Sequence, residues 1–265
     1  MTAGWEATVG GHFMRAGVMK ALLAASALVA STLFNAPAHA TPSVCNDVAL
    51  VLAVDASASI SPGEFLLQKQ GIAAAFRDPT VQQAIAQAGT VIVSAVFWGS
   101  AGTAKAQSGW VEVDGQQGAE AFARTIEEMP RQVTGDTGLG SGLATAIVKL
   151  TSPDLCAVRK IINLSGDGEE TRVVRGKRRA MPAPEARDLA QELQVEINAL
   201  AMSNEQPGLA QYFAKNVITG PDAFVMEVHE YAGFAAAMQR KLIREISPRV
   251  VAVLPGPSLA DRHLD

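Results

Sequence analysis

Three observations predict an α/β fold: a mostly parallel sheet, doubly wound, with helices on both faces. Apolar, β-branched runs alternate with longer amphipathic segments along the chain. Those runs are apolar almost throughout rather than at every second position, as strands buried on both faces must be. Acidic, hydroxyl and glycine residues gather directly after two of the runs, where loops leave the carboxyl ends of strands and ligand sites form in such sheets.

Residues 1–40 read as an export signal rather than as part of the fold. Arg15 and Lys20 precede the apolar run Ala21 to Phe34, and Ala38-His39-Ala40 gives a small-x-small cleavage pattern. Met14 and Met19 are alternative starts that would lose nothing a signal needs. The run is short and alanine-rich for a spanning helix, with a retained anchor as the alternative. One domain is therefore expected over 41–248, with 249–265 as a tail after Pro248.

Within the domain the predicted strands are Val48–Val54, Thr90–Phe97, Trp110–Val113, Lys160–Leu164, Val195–Ala201 and Ala223–Val228. Helical stretches lie near Pro62–Arg77, Gly118–Glu128, Gly138–Leu150, Pro184–Gln194, Leu209–Asn216 and Tyr231–Ile246. Phe65, Phe76, Phe122 and Phe234 suit the buried faces of those helices. No internal repeat and no dividing linker interrupts the pattern.

Of 22 basic and 26 acidic residues, Arg15, Lys20 and Glu6 fall in the signal, leaving 20 and 25 and a net charge of −5. That balance argues against nucleic acid as a partner. No later stretch reaches membrane-spanning length, so no span is expected after signal cleavage. Cys45 lies ten residues before Asp55, and Cys156 eleven before Asp167. If the two strands that follow them lie side by side and parallel, the cysteines meet at the opposite edge of the sheet from those aspartates. A disulfide is then expected in an oxidising compartment, with two reduced, half-buried thiols as the alternative.

The chemistry concentrates where Val48–Val54 runs into Asp55-Ala56-Ser57-Ala58-Ser59. One carboxylate and two hydroxyls at alternate positions are hard oxygen donors that can converge on a small divalent cation at about 2.0–2.1 Å. A second aspartate follows Lys160–Leu164 in Ser165-Gly166-Asp167-Gly168, and Thr137 supplies a hydroxyl from the glycine-rich loop Gly135–Gly142. Each element has a plain structural role when taken singly, as helix cap or turn residue. Their joint occurrence, in this order, points to a metal site.

These residues resemble the von Willebrand factor type A (VWA) domain family, a Rossmann-like α/β fold. The resemblance implies a metal-ion-dependent adhesion site (MIDAS). Ser57, Ser59 and often the threonine, here Thr137, would contact Mg²⁺ or Mn²⁺ directly, and Asp55 and Asp167 directly or through water. An open coordination position would accept a carboxylate of a partner protein. Leu50–Asp55, Ser165-Gly166-Asp167-Gly168, Val217–Val225 and Lys241–Ile246 further resemble a bacterial exported subgroup, domain of unknown function family 1194. The usual strand ends in Thr-Asp-Gly; here Ser165-Gly166 precede Asp167, one residue longer.

Other readings are weaker. Asp55, Asp167, Glu169 and a bound cation could activate water for phosphoester hydrolysis, with Asp136 or Glu169 as base. His229 and His263, however, lie far from these residues in sequence, and neither H-E-x-x-H nor G-x-S-x-G occurs. The glycines of 135–142 lack a P-loop lysine and suit tight packing at a helix start. Arg172, Arg175, Lys177, Arg178 and Arg179 form either a solvated loop or a cluster that steers an acidic partner. Trp98 suits either a rim contact for a partner or core packing. With the export signal, the resemblance implies a periplasmic or secreted, non-enzymatic protein-binding domain that uses Mg²⁺ or Mn²⁺ to engage an acidic residue. A metal-independent scaffold of the same fold is the alternative.

Overall fold

The computed structural model describes residues 45–133, 135–171 and 180–248. Its centre is β1 (Asn46–Asp55), which pairs in parallel with β2 (Val91–Trp98) on one side and β5 (Ala157–Gly166) on the other. β6 (Val195–Met202) and β7 (Val225–Val228) extend the parallel sheet beyond β5. At the far edge, β3 (Ala106–Gln107) and β4 (Val111–Glu112) pair antiparallel with β2. The order is β3-β2-β1-β5-β6-β7, with β4 also on β2.

Alternate residues of β1 enter two separate cores, which explains its unbroken apolar run. Val48, Leu50, Leu52 and Val54 face one core; Ala49, Val51 and Ala53 face the other. The first core is closed by α1 (Pro62–Arg77), α2 (Pro79–Ala88), α3 (Gly115–Glu128) and α7 (Phe234–Ile246). Phe65, Phe76, Phe122 and Phe234 fill it as expected, with Phe76 and Phe122 meeting edge to face at 4.6 Å between centroids. The second core lies under α4 (Leu139–Leu150), α5 (Ala183–Glu192) and α6 (Leu209–Asn216).

Local chemistry fixes the starts of the first two helices. Ser61 caps α1 in a reciprocal box: its hydroxyl accepts from Glu64 N, while Ser61 N donates to the Glu64 carboxylate. Asp78 ends α1 and caps α2, its carboxylate accepting from Thr80 N at 2.8 Å, with Pro79 in the first turn. The sequence patterns did not resolve α2, and they drew the β4 region as one longer strand, Trp110–Val113. Edge pairing there is confined to two residues in each of β3 and β4.

Cys45 and Cys156 form a disulfide beside the register pair Asn46 and Ala157. It lies at the amino-terminal edge of the β1–β5 pair, opposite Asp55. Among the described residues, no helix is long and apolar enough to cross a membrane.

Candidate metal centre

Asp55 closes β1 and is fully buried. The loop that follows folds back on it: Ser57 N donates to Asp55 Oδ1 at 2.7 Å, an Asx-type turn. Ser57 Oγ and Ser59 Oγ lie 3.0 Å apart, and Ser59 Oγ donates to Asp167 Oδ1 at 2.9 Å. The two aspartates, from neighbouring parallel strands, are thus joined through serine hydroxyls. The longer Ser165-Gly166-Asp167 ending does not carry Asp167 away, because β5 continues through Gly166 before the turn. A Cβ at Gly166 would come within 3.3 Å of Asp55 Oδ2, a tight approach that glycine avoids.

The glycine-rich loop approaches from a third side. Ala58 N donates to Gly135 O at 2.7 Å, and Thr171 N to Thr137 O at 2.9 Å, which ties the Thr137 loop to both aspartate loops. Thr137 is buried, and its Oγ1 would lie 3.7 Å from a Cβ at Gly168. The glycines serve close packing, as expected. A Cβ on Gly140 would strike Met181 O at 2.3 Å, and one on Gly142 the Trp98 ring at 2.5 Å.

Asp55 Oδ2 is buried and makes no hydrogen bond. Burial, and then the negative charge of Asp167, push the Asp55 carboxyl up to about 7. Burial raises Asp167 as well, against the Ser59 hydrogen bond. Two desolvated acids close together, one with an idle oxygen, among hydroxyls that are also hard donors, form a set suited to a divalent cation. The donors are two carboxylates and three hydroxyls. Among the described residues no group of three or more His, Cys, Asp or Glu is placed to hold a metal, so the hydroxyls are essential to any such site.

Several supporting residues escaped the sequence patterns. Arg131 donates to Ser57 O at 2.8 Å and to Ile60 O, gripping the carbonyls of the Asp55–Ser59 loop, and its charge favours ionised Asp55. Glu170 accepts from Gly140 N and Ala183 N, each at 2.8 Å, so one carboxylate joins the first turns of α4 and α5. Both act across long sequence separations, and a bare Arg or Glu in a loop gives no local sign of it.

Two expectations change. Trp98 is fully buried in the second core against Gly142, so it packs and does not form a rim contact. His229, distant in sequence, follows β7 onto the carboxyl edge, where Nδ1 lies 2.9 Å from Ser203 Oγ. Glu169 is exposed, with its N–H on Gln206 Oε1 at 3.0 Å. The basic residues Arg172, Arg175, Lys177, Arg178 and Arg179 lie outside the described residues, as does the signal segment.

Sheet order, two helix layers and a site at the carboxyl ends of β1 and β5 define an α/β fold of the von Willebrand factor type A kind. The chain belongs to the family described as protein of unknown function (DUF1194), whose profile matches residues 44–250. Solved structures share the fold. The pilus adhesin SpaC from Lactobacillus rhamnosus GG matches at 15% identity over 77% of this chain and 31% of its own, with a TM-score of 0.56. Proximal thread matrix protein 1 from the mussel byssus, solved with zinc in its MIDAS motif, matches at 14% over 76% and 46%, TM-score 0.52. A von Willebrand factor type A protein from Catenulispora acidiphila matches at 15% over 76% and 43%, TM-score 0.51. The chain spans less than half the length of each of these, and at such identities the likeness concerns fold alone. None of the curated proteins matches the chain.

Proposed function

We propose that this is an exported protein-binding domain whose contact with its partner depends on Mg²⁺ or Mn²⁺. The observation that carries the reading is the buried, unpartnered Oδ2 of Asp55, set beside Asp167 and serine hydroxyls at the carboxyl edge of the sheet. Asp55, Ser57, Ser59, Thr137 and Asp167 would hold the cation. Bound there, the ion supplies positive charge in an otherwise acidic site and a coordination position for a carboxylate. The partner is accordingly a protein that presents Asp or Glu.

Each of this chain's residues has a distinct part. Asp55 and Asp167 neutralise the ion, Arg131 holds the serine loop in shape, and Glu170 fixes the helix starts behind Thr137. Arg172, Arg175, Lys177, Arg178 and Arg179, which follow Asp167 in sequence, steer the acidic partner. Replacing all five by Gln should slow association of an acidic peptide at low salt and flatten its salt dependence. An unchanged rate would remove them from the reading. A pilus adhesin among the proteins of this fold agrees with a binding role over hydrolysis.

The test is thermal unfolding after chelation, with Mg²⁺ or Mn²⁺ restored, beside Asp55→Ala and with a generic phosphoester assay alongside. A ligand of the folded state raises the midpoint by mass action. The reading requires a saturable rise in the parent, none in the variant, and background hydrolysis in both. A parent midpoint indifferent to metal would favour a metal-independent scaffold.

A further inference from the structure

The amino-terminal edge of the sheet, opposite Asp55, has an uncovered corner. β5 begins at Ala157, but its pairing with β6 begins only at Lys160, opposite Val195. Among the described residues, 157–159 therefore have a neighbouring strand, β1, on one side only. A cavity of about 630 Å³ opens there, lined by residues 158–161 of β5, by Gln191 and Gln194 at the end of α5, and by residues 219–221. Two large apolar side chains flank it in the open: Val158 is 76% exposed, and Leu193, between the two glutamines, 40%. A bare strand edge beside exposed apolar side chains is a template for further pairing, and native proteins cover such edges.

One segment of this chain starts at that corner. Arg159, which lines the cavity, donates to Ile246 O at 3.2 Å and to Ser247 O at 3.3 Å, so the chain leaves α7 beside it. Residues 249–265 lie outside the described residues. Their sequence opens with Arg249 and then Val250-Val251-Ala252-Val253-Leu254, apolar and mostly β-branched, before Pro255-Gly256-Pro257. That is the pattern of a short strand closed by a turn signal. Six extended residues reach about 20 Å, against about 10 Å for the three unpaired residues of β5. We infer that residues 249–254 dock in this cavity along residues 157–159, cover Val158 and Leu193, and close the sheet to edge-to-edge pairing with a second molecule. No residue of the cation set lies at this edge, so the inference stands apart from the metal-dependent reading.

The test uses the purified protein, tail included, in three forms: the parent, Val251→Asp with Val253→Asp, and Val158→Asp, whose exposed position keeps the fold. Hydrogen exchange read by mass spectrometry follows residues 157–160, and a fluorescein-labelled peptide of residues 249–257 is titrated into each form. Exchange at 157–160 should be about tenfold slower in the parent than in either variant. The peptide should bind saturably to the tail variant alone, because the parent's cavity is filled by its own tail at high effective concentration and Val158→Asp has lost the surface. Fast exchange in the parent, absence of peptide binding to the tail variant, or equal binding to all three forms would overturn the inference. So would slow exchange retained in the tail variant, which assigns the cover to a second copy if it fades on dilution and to the residues before Cys45 if it does not.

Discussion

Asp55 carries an electrostatic cost at the carboxyl edge of the sheet. Its carboxyl, at an ordinary 3.8 in an open chain, is raised to about 7 by burial and by Asp167. A carboxyl whose folded pKa lies above its unfolded one binds its proton more tightly when folded. The contribution of Asp55 to metal-free stability should therefore be fully present below about pH 4 and be lost as pH rises through about 7. Unfolding free energies from urea titrations across that window should fall by on the order of a few kcal/mol in chelator, and Asp55→Asn should flatten the slope. A parent profile as flat as that of Asp55→Asn would show that Asp55 bears no such burden. The Asp55, Ser57 and Ser59 trio was legible in sequence because the donors alternate directly after a strand. Arg131 was not, since it reaches the site through the fold alone.

At the scale of elements, α7 is tied to the sheet by a buried polar group rather than by apolar contact alone. Lys241 Nζ meets Glu245 Oε1 at 2.5 Å, and Asn163 Nδ2 of β5 donates to Glu245 Oε2 at 2.6 Å. All three residues are essentially inaccessible to solvent. Removing one member of such a pair strands a buried charge, whereas replacing both with apolar groups does not. Glu245→Ala should lower stability by roughly 3–5 kcal/mol, and Lys241→Met with Glu245→Leu by much less. Chemical denaturation of both variants checks this, and equal losses would contradict it. The continuous apolar runs of β1, β2, β5 and β6 were readable because both faces are buried. The α2 helix was missed because Asp78-Pro79 looks like a stop, although it both ends α1 and starts the next helix. The two-residue pairings of β3 and β4 depend on what β2 offers them and leave no pattern of their own.

Over the whole molecule, the parallel pairing of β1 with β5 does two jobs. At its carboxyl end it brings Asp55 and Asp167 together; at its amino end it brings Cys45 to Cys156, closing a loop of 111 residues. Cross-linking so long a loop restricts the unfolded chain. Reduction, or Cys45→Ser with Cys156→Ser, should cost about 2–5 kcal/mol in denaturant titrations and leave the far edge of the sheet intact. Metal affinity retained after reduction would fit that separation; affinity lost with the protein still folded would contradict it. The central claim is that the carboxyl edge of β1 and β5 is a cation site. Anomalous diffraction from a crystal grown with Mn²⁺ tests it most directly. A peak enclosed by Asp55, Ser57, Ser59, Thr137 and Asp167 is the predicted result, and a fully ordered edge with no anomalous peak there would contradict it.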